Sequence, residues 1–108
     1  MQKVAFLIRV KPERLEEYKK LHSPVWPELA AEIAASGIRN YSLWLRDDGL
    51  EFGCLECDDW DASCAYLAKS EVHDKWQEMM QDYLDSPTDS SQGGQPIEML
   101  ETCFHIVE

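Results

Sequence analysis

The sequence predicts a small α+β domain with the ferredoxin-like order βαββαβ, and three observations support this fold class. The chain of 108 residues has the length of one domain, 1–108, and shows no internal repeat. Four segments alternate apolar and polar residues as strands do, and segments with helical spacing connect them. A sheet of this order has its helices on one face. We therefore expect a second subunit to cover the other face, which gives a dimeric α+β barrel.

The first third of the chain is predicted to form a strand and two helices. Residues 3–10 alternate like a half-buried strand, and Pro12 suits the first turn of a helix. Because the residue before a proline avoids the helical region, this helix should break just before Pro24. Ser23 can then cap a second helix that begins at Pro24 and ends near Gly37.

The rest of the chain is predicted to supply a hairpin, two helices and a last strand. The hairpin signal is the Asp-Asp-Gly sequence between two strand-like segments. The predicted elements are strands at 38–46, 50–57 and 98–107, helices at 60–68 and from a cap at Ser70 through Leu84, and a surface loop or lid at 85–96.

The charge of the chain argues against several classes of partner. The 21 acidic and 10 basic residues give a formal net charge of −11. A field of this sign repels nucleic acid and anionic membranes, so neither is an expected partner. No apolar run approaches the ~20 residues of a membrane span, and the N-terminal apolar stretch is too short for a signal peptide. We expect a cytoplasmic protein that acts on a neutral or cationic small molecule.

Two cysteines in the sequence Cys54-Leu55-Glu56-Cys57 have the spacing of half a metal-binding motif. The segment is predicted to be a strand, in which residues three apart face opposite sides. The two thiols should therefore not share one ion, and the sequence contains no second pair with this spacing. In the cytosol these thiols should be reduced. No metal site is expected.

Tyr18 and His22 are the first candidates for chemistry. Residues four apart on a helix lie on the same face, one turn apart, and the predicted helix break leaves His22 at the helix end. An imidazole with an ordinary pKa can accept and donate protons near neutral pH. The alternative is structural: Tyr18 belongs to the core and His22 caps the last carbonyls of the helix.

Aromatic residues supply a candidate binding surface. Tyr41 and Trp44 lie three apart on a predicted strand, so one should face the helices and the other the open face of the sheet. Trp76 lies on the last helix, while His73 and His105 are interpreted as a surface residue and a strand residue. Aromatic rings suit the C–H faces of a sugar ring. An aromatic core without a ligand is the alternative interpretation.

The stretch from Glu17 to Leu29 reads E-Y-K-K-L-H-S-P-V-W-P-E-L. Its pattern, E-Y-x-x-x-H-x-x-x-W-P-E-L, closely resembles the L-rhamnose mutarotase family. The resemblance covers nearly the whole chain, and it continues through Gly37, Asn40-Tyr41-Ser42, Phe52-Gly53, Lys75-Trp76 and Met80.

This resemblance implies a dimeric α+β barrel that interconverts the α and β anomers of a six-carbon deoxysugar without metal or cofactor. It implies that His22 is the acid/base residue and that Tyr18, Tyr41 and Trp76 line the sugar site. Ring opening needs a proton removed from the anomeric hydroxyl and one delivered to the ring oxygen. A positioned imidazole can supply such transfers.

The chain departs from the family pattern in two places. Family members often have two tryptophans where this chain has Trp76-Gln77, and the loop at 86–91 has a different sequence. Both departures lie near the expected pocket, so the resemblance does not identify the sugar. Two alternatives stay open: a non-catalytic dimer that binds a sugar or metabolite on the same fold, and another cofactor-free enzyme of the dimeric α+β barrel class.

Overall fold

Four strands and their connecting helices form the structure, a computed structural model that describes residues 1–22, 24–85 and 96–106. The elements are β1 (Gln2–Arg9), a 3₁₀-helix (Pro12–Arg14), α1 (Leu15–Leu21), α2 (Pro27–Ala35), β2 (Arg39–Leu45), β3 (Leu50–Cys57), α3 (Trp60–Ala68), α4 (Glu71–Met80) and β4 (Glu98–Met99). The sheet order is β2-β3-β1-β4, and every neighbouring pair is antiparallel. This is the sheet order of the split βαβ arrangement, so the predicted α+β fold class is confirmed.

The inner face of the sheet packs against the helices. Along β1, Val4, Phe6 and Ile8 are buried, and the residues between them are less buried. They join apolar residues of β3, α2, α3 and α4 in one core cluster. The outer face carries Trp44 and Phe52, which are 57 % and 38 % exposed. Alternation along the strands thus separates a covered face from an uncovered one.

Gly53 of β3 permits a close approach within this core. It pairs with Phe6 of β1, and a Cβ atom at Gly53 would lie 2.5 Å from the Phe6 ring. The side chain of Leu43 approaches the same point from β2, at 3.0 Å. Glycine is therefore required here for space.

The connection between α1 and α2 differs from the expectation. α1 ends before Pro24, as predicted, but α2 begins at Pro27 rather than at Pro24. Trp26 has an extended backbone (φ −53°, ψ 129°) because it precedes Pro27, and a helix starting at Pro24 would have to pass through this residue. The predicted Ser23 cap lies outside the described residues. Gly37 follows α2 with a φ of 96°, as expected for a glycine at a helix end.

The central hairpin and α3 lie where the sequence predicts them. β2 and β3 agree with the segments 38–46 and 50–57 to within one residue, and α3 coincides with 60–68. In β3 the odd-numbered residues from 51 to 57 are buried. Cys57 belongs to this inner set and Cys54 to the outer one, so the prediction that they face opposite sides is confirmed.

α4 is shorter than predicted at its C-terminal end. The helix ends at Met80 instead of continuing through Leu84. Beyond it, the Lys11 N–H donates a hydrogen bond of 2.8 Å to the Tyr83 carbonyl, and Val10 pairs with Leu84 as an isolated bridge. These bonds align the chain with the end of β1 and replace the last helical turn.

The last strand is also shorter than predicted. β4 contains Glu98–Met99, which pair with Leu7 and Phe6, and the Leu100 N–H donates to the Ala5 carbonyl at 3.0 Å. Residues 101–106 are exposed and have no strand pairing in the described part of the chain. The prediction of a strand over 98–107 is therefore wrong at 100–106. Alternating residues form a strand only beside a neighbouring strand that supplies hydrogen bonds, and within this segment β1 pairs with Glu98 and Met99 alone in the described part of the chain. Most of the predicted loop, residues 86–95, lies outside the described residues.

Across the described ranges, no helix combines the length and apolarity needed to cross a membrane.

Candidate active site

The predicted site residues come together where the end of α1 meets α4 and the inner face of β2. Tyr18, His22, Tyr41 and Trp76 all line one pocket of about 60 Å³. A wider pocket of about 370 Å³ shares His22, Tyr41 and Trp76 with it. This larger volume falls within the range of about 300–1,000 Å³ that is typical of small-molecule sites. The four residues thus form one candidate site.

His22 follows the last residue of α1 and caps the helix with one ring nitrogen. Nδ1 lies 2.9 Å from the carbonyl oxygen of Tyr18. Since a carbonyl can only accept, Nδ1 carries the hydrogen and Nε2 is the basic nitrogen. Burial lowers the pKa of His22, and the hydrogen bond to Tyr18 opposes this effect, so the ring is neutral at pH 7. The two interpretations of His22, as a helix cap and as a proton-transfer group, are compatible.

Trp76 lies at the centre of a row of four rings. Its indole meets His22 at 5.1 Å and Trp26 at 5.0 Å between ring centroids, both nearly perpendicular. The Tyr18 ring continues the row on the other side of His22, at 4.4 Å. We call these four residues the aromatic row. Trp26 was not among the predicted site residues, although it belongs to the motif between Glu17 and Leu29.

Tyr41 lies in a β-bulge of β2, between Arg39 and Ser42. The pairing with β3 shifts register at this point, and Asn40 has a φ of 49°, in the left-handed region that asparagine tolerates. The Tyr41 ring meets Phe6 of the core edge-on at 6.1 Å. Trp44 lies on the other face of the sheet and packs against Phe52 at 5.6 Å. The prediction that Tyr41 and Trp44 face opposite sides is confirmed.

Glu51 is a candidate that the sequence interpretation missed. It is 3 % exposed, and the Tyr18 hydroxyl donates a hydrogen bond of 2.6 Å to its Oε1. Burial raises the pKa of Glu51 to about 7, against the opposing effect of the Tyr18 hydrogen bond. The signal was present in the sequence: Glu51 has the same strand parity as Gly53 and Leu55, so a carboxylate stands among inward-facing positions.

His73 is buried rather than on the surface, which corrects the interpretation of this residue. It is 4 % exposed, and burial lowers its pKa. Its backbone N–H donates to Ser70 Oγ at 3.2 Å, which confirms the predicted cap of α4. Three residues before Trp76, His73 lies on the same inward face of the helix. His105 is exposed and lies outside any strand.

Gln77 borders the candidate site at the position of the second family tryptophan. Its side-chain nitrogen Nε2 lies 3.1 Å from His73 Nε2. Its Oε1 is buried and has no hydrogen-bond partner among the described residues. Gln77 also lines the small pocket with Tyr18 and His22. This amide is therefore a polar group on an otherwise largely aromatic and apolar wall.

Comparisons with known proteins agree on one family. A family model described as L-rhamnose mutarotase matches residues 3–106. The L-rhamnose mutarotase of Burkholderia orbicola (strain MC0-3) is 34% identical over 107 residues, which cover 98% of this chain and 99% of the relative. That of Sinorhizobium fredii (strain NBRC 101917 / NGR234) is 35% identical with the same coverage. The crystal structure of an L-rhamnose mutarotase from Formosa agariphila has the same fold, with a TM-score of 0.79 and 21% identity, over 99% of this chain and 100% of that chain.

Proposed function

This chain belongs to the L-rhamnose mutarotase family, and from this premise we propose that it is an isomerase that interconverts the α and β anomers of L-rhamnose or a related deoxyhexose. The observation that carries the proposal is the placement of His22. A neutral imidazole, with one nitrogen fixed to the helix, borders a pocket walled by Tyr41 and Trp76. Such a ring can take a proton from a neutral hydroxyl and return it.

The reaction needs little besides positioned proton transfer. A proton leaves the anomeric hydroxyl, the bond between C1 and the ring oxygen breaks, and the ring oxygen gains a proton. Rotation about the C1–C2 bond then presents the other face of the aldehyde, and the same steps in reverse close the ring. His22 is the acid/base residue of this scheme, with Nε2 as the atom that exchanges the proton.

The aromatic side chains bind and orient the sugar. Trp76 and Tyr41 line the pocket, where their rings can pack on the C–H groups of the pyranose, and the tyrosine hydroxyls can bond its alcohols. Holding the ring so that its two reacting oxygens meet the proton-transfer groups contributes to the rate by fixing orientation. Tyr18, Tyr41 and Trp76 are therefore assigned to sugar binding.

Exchange NMR on L-rhamnose tests this function. Saturation of the α-anomer H1 resonance should reduce the β-anomer H1 signal far more with protein present than in buffer alone, because the protein speeds exchange between the anomers. No metal or cofactor is added. Binding of the sugar without faster exchange would favour the non-catalytic alternative. Neither binding nor exchange, with several deoxyhexoses tried, would contradict the proposal.

We further propose that the working form is a homodimer in which a second copy covers the outer sheet face. Trp44 and Phe52 form an apolar pair on that face, and Leu7 pairs with Phe52 in the neighbouring strand. Phe104 and Ile106, near the C-terminus, are 77 % and 74 % exposed. Apolar side chains this exposed on a small domain indicate an interaction surface.

A cytosolic location is part of the same proposal. Its support is the use of cysteine: Cys54 and Cys57 lie on opposite faces of one strand, and all four cysteines are free thiols in the structure. Free thiols persist in a reducing compartment.

A further inference from the structure

Glu51 is a buried carboxylate next to the proposed site, and it is joined to that site through Tyr18. A pocket of about 200 Å³ is lined by Glu51 together with Tyr18, Lys19 and His22 of α1 and two leucines of β2. Glu51 and His22 therefore border one space, and Tyr18 makes contact with both of them. A carboxylate on an inward strand position is costly to bury, so its presence there calls for an explanation.

The surroundings of Glu51 provide one hydrogen-bond partner and no ion pair within the described residues. The partner is the Tyr18 hydroxyl at 2.6 Å. From β1 the residue opposite Glu51 is the apolar Ile8. From β2 the titratable group that interacts with Glu51 is Tyr41, whose pKa is raised by burial and by the charge of Glu51. Lys19 lines the same pocket but forms its ion pair with Glu16, at 3.6 Å. The carboxyl group is thus coupled most directly to Tyr18.

Ring opening requires two proton transfers, and a single imidazole cannot serve both sugar oxygens at once. Building on the proposed function, we propose that Tyr18 and Glu51 form a second proton-transfer arm of the site, beside His22. Tyr18 exchanges its hydroxyl proton with the sugar, and Glu51 supplies or takes up the proton of Tyr18. Glu51 acts through Tyr18 and is therefore a positioning residue that does not touch the sugar.

The steps balance as follows when His22 is neutral and Glu51 is protonated. His22 Nε2 takes the proton of the anomeric hydroxyl, and the bond between C1 and the ring oxygen breaks. In this state the hydrogen bond between the two groups is reversed from the one in the structure: the carboxylic acid of Glu51 donates to the Tyr18 oxygen, and the hydroxyl proton of Tyr18 is directed to the sugar. The Tyr18 hydroxyl protonates the ring oxygen, and the carboxyl proton of Glu51 passes to Tyr18. The open-chain sugar then lies between an imidazolium and a carboxylate. Ring closure on the other face reverses each transfer and restores both groups.

The protonation behaviour of the two groups suits this scheme. Burial lowers the pKa of His22 and raises that of Glu51 to about 7, so a neutral imidazole and a carboxylic acid coexist near neutral pH. Above that pH Glu51 is a carboxylate and can no longer return a proton to Tyr18. Activity should therefore rise as His22 loses its proton and fall again as pH passes through about 7.

The test compares the parent protein with Glu51→Gln, using L-rhamnose exchange NMR across a range of pH. Glutamine keeps the size of the side chain and an acceptor for Tyr18 but cannot transfer the proton. We expect kcat to fall by ~10²-fold with little change in KM, and the falling limb near pH 7 to disappear. Glu78→Gln, which removes an exposed carboxylate of α4, should keep both the parent rate and the parent profile.

The outcomes separate the two proposals. A parent protein that exchanges anomers no faster than buffer overturns the proposed function, and this inference with it. An active parent with a Glu51→Gln variant of equal rate and equal pH profile overturns this inference alone. If the variant does not fold, the parent protein provides the test. Its rate of anomer exchange should fall with rising pH at the same midpoint as the ¹³C titration of the Glu51 carboxyl group, and a rate that does not fall overturns the inference.

Discussion

At the scale of single residues, His22 combines a helix-capping contact with a second nitrogen available for proton transfer. The contact from Nδ1 to the Tyr18 carbonyl fixes both the tautomer and the direction of the ring. The neighbouring Trp76 restricts the ring from the other side at 5.1 Å. If His22 is the proton-transfer group, as proposed, an imidazole held in this manner loses little orientational freedom when the sugar binds.

Replacing His22 with alanine should remove most of the enhancement of anomer exchange, by ~10²–10⁴-fold, because positioned acid/base groups contribute about this much. His22→Asn keeps a polar group that does not titrate near neutral pH and should be nearly as damaging. Exchange NMR measures both rates against the spontaneous rate in buffer. His105→Asn, which changes an exposed histidine, is the matched control. A His22→Ala variant as fast as the parent would contradict the mechanism.

Glu51 should make the fold less stable as pH rises. Burial raises the pKa of Glu51 from 4.5 to about 7 in the folded protein. The unfolding free energy is therefore highest below pH 4.5, where Glu51 is protonated in both states, and it falls as pH rises through about 7. Between about pH 5 and about pH 8 the parent should lose about 2 kcal/mol of unfolding free energy relative to Glu51→Gln. Urea unfolding at the two pH values measures this difference.

Two histidines, the half-buried His22 and the buried His73, act with the opposite sign in that experiment. The pKa values of His22 and His73 are lowered by burial, so their effect is a loss of stability as pH falls below their ordinary range. Both histidines are present in the parent and in the variant and cancel in the comparison. An unfolding difference that does not change with pH would show that Glu51 has an ordinary pKa.

At the scale of secondary-structure elements, the packing of β1 on β3 depends on Gly53. Gly53→Ala would place a methyl group 2.5 Å from the Phe6 ring, which is itself buried in the core. We expect a loss of about 1–3 kcal/mol, the usual cost of overpacking. Urea unfolding measures the loss, with Ser42→Ala on the exposed strand β2 as control. Equal stability of the two variants would mean that Phe6 moves aside at no cost.

The sequence predicted those elements whose signals are local. Alternation located β1 to β3, and the Ser70 cap located the start of α4. The sequence Ser23-Pro24 favours a helix that starts at Pro24, but Pro27 keeps Trp26 extended, so α2 starts at Pro27. The lengths of α4 and β4 depend on hydrogen bonds to β1 and the residues just after it. These residues are far away in the sequence, and the periodicity of a segment does not show such contacts.

The residues of the candidate site were predicted from a motif, and the carboxylate bonded to Tyr18 was not. The resemblance identified Tyr18, His22, Tyr41 and Trp76, which line one pocket in the structure. Glu51 is a charged residue at an inward position of β3, and the sequence alone does not show which positions of this strand face inward. The motif thus identifies side chains, and the partners that set their protonation come from the fold.

At the scale of the whole molecule, the uncovered sheet face should hold a second copy of the chain. Light scattering after gel filtration should give the mass of a dimer at micromolar concentration. Trp44→Glu places a charge on the apolar outer face and should give monomers. Tyr66→Glu is the control, since Tyr66 is an exposed aromatic residue on α3, away from that face. A parent protein with the mass of a monomer would contradict the dimer.

The aromatic row also gives the molecule an optical property. An indole that touches an imidazole loses excited-state energy to the ring when that ring is protonated, and Trp76 meets His22 edge to face. The emission of Trp76 therefore follows the charge of His22 without any attached label. With the other tryptophans replaced by phenylalanine, a fluorescence titration would read the charge state of the proposed catalyst directly, in the empty protein and again with sugar bound.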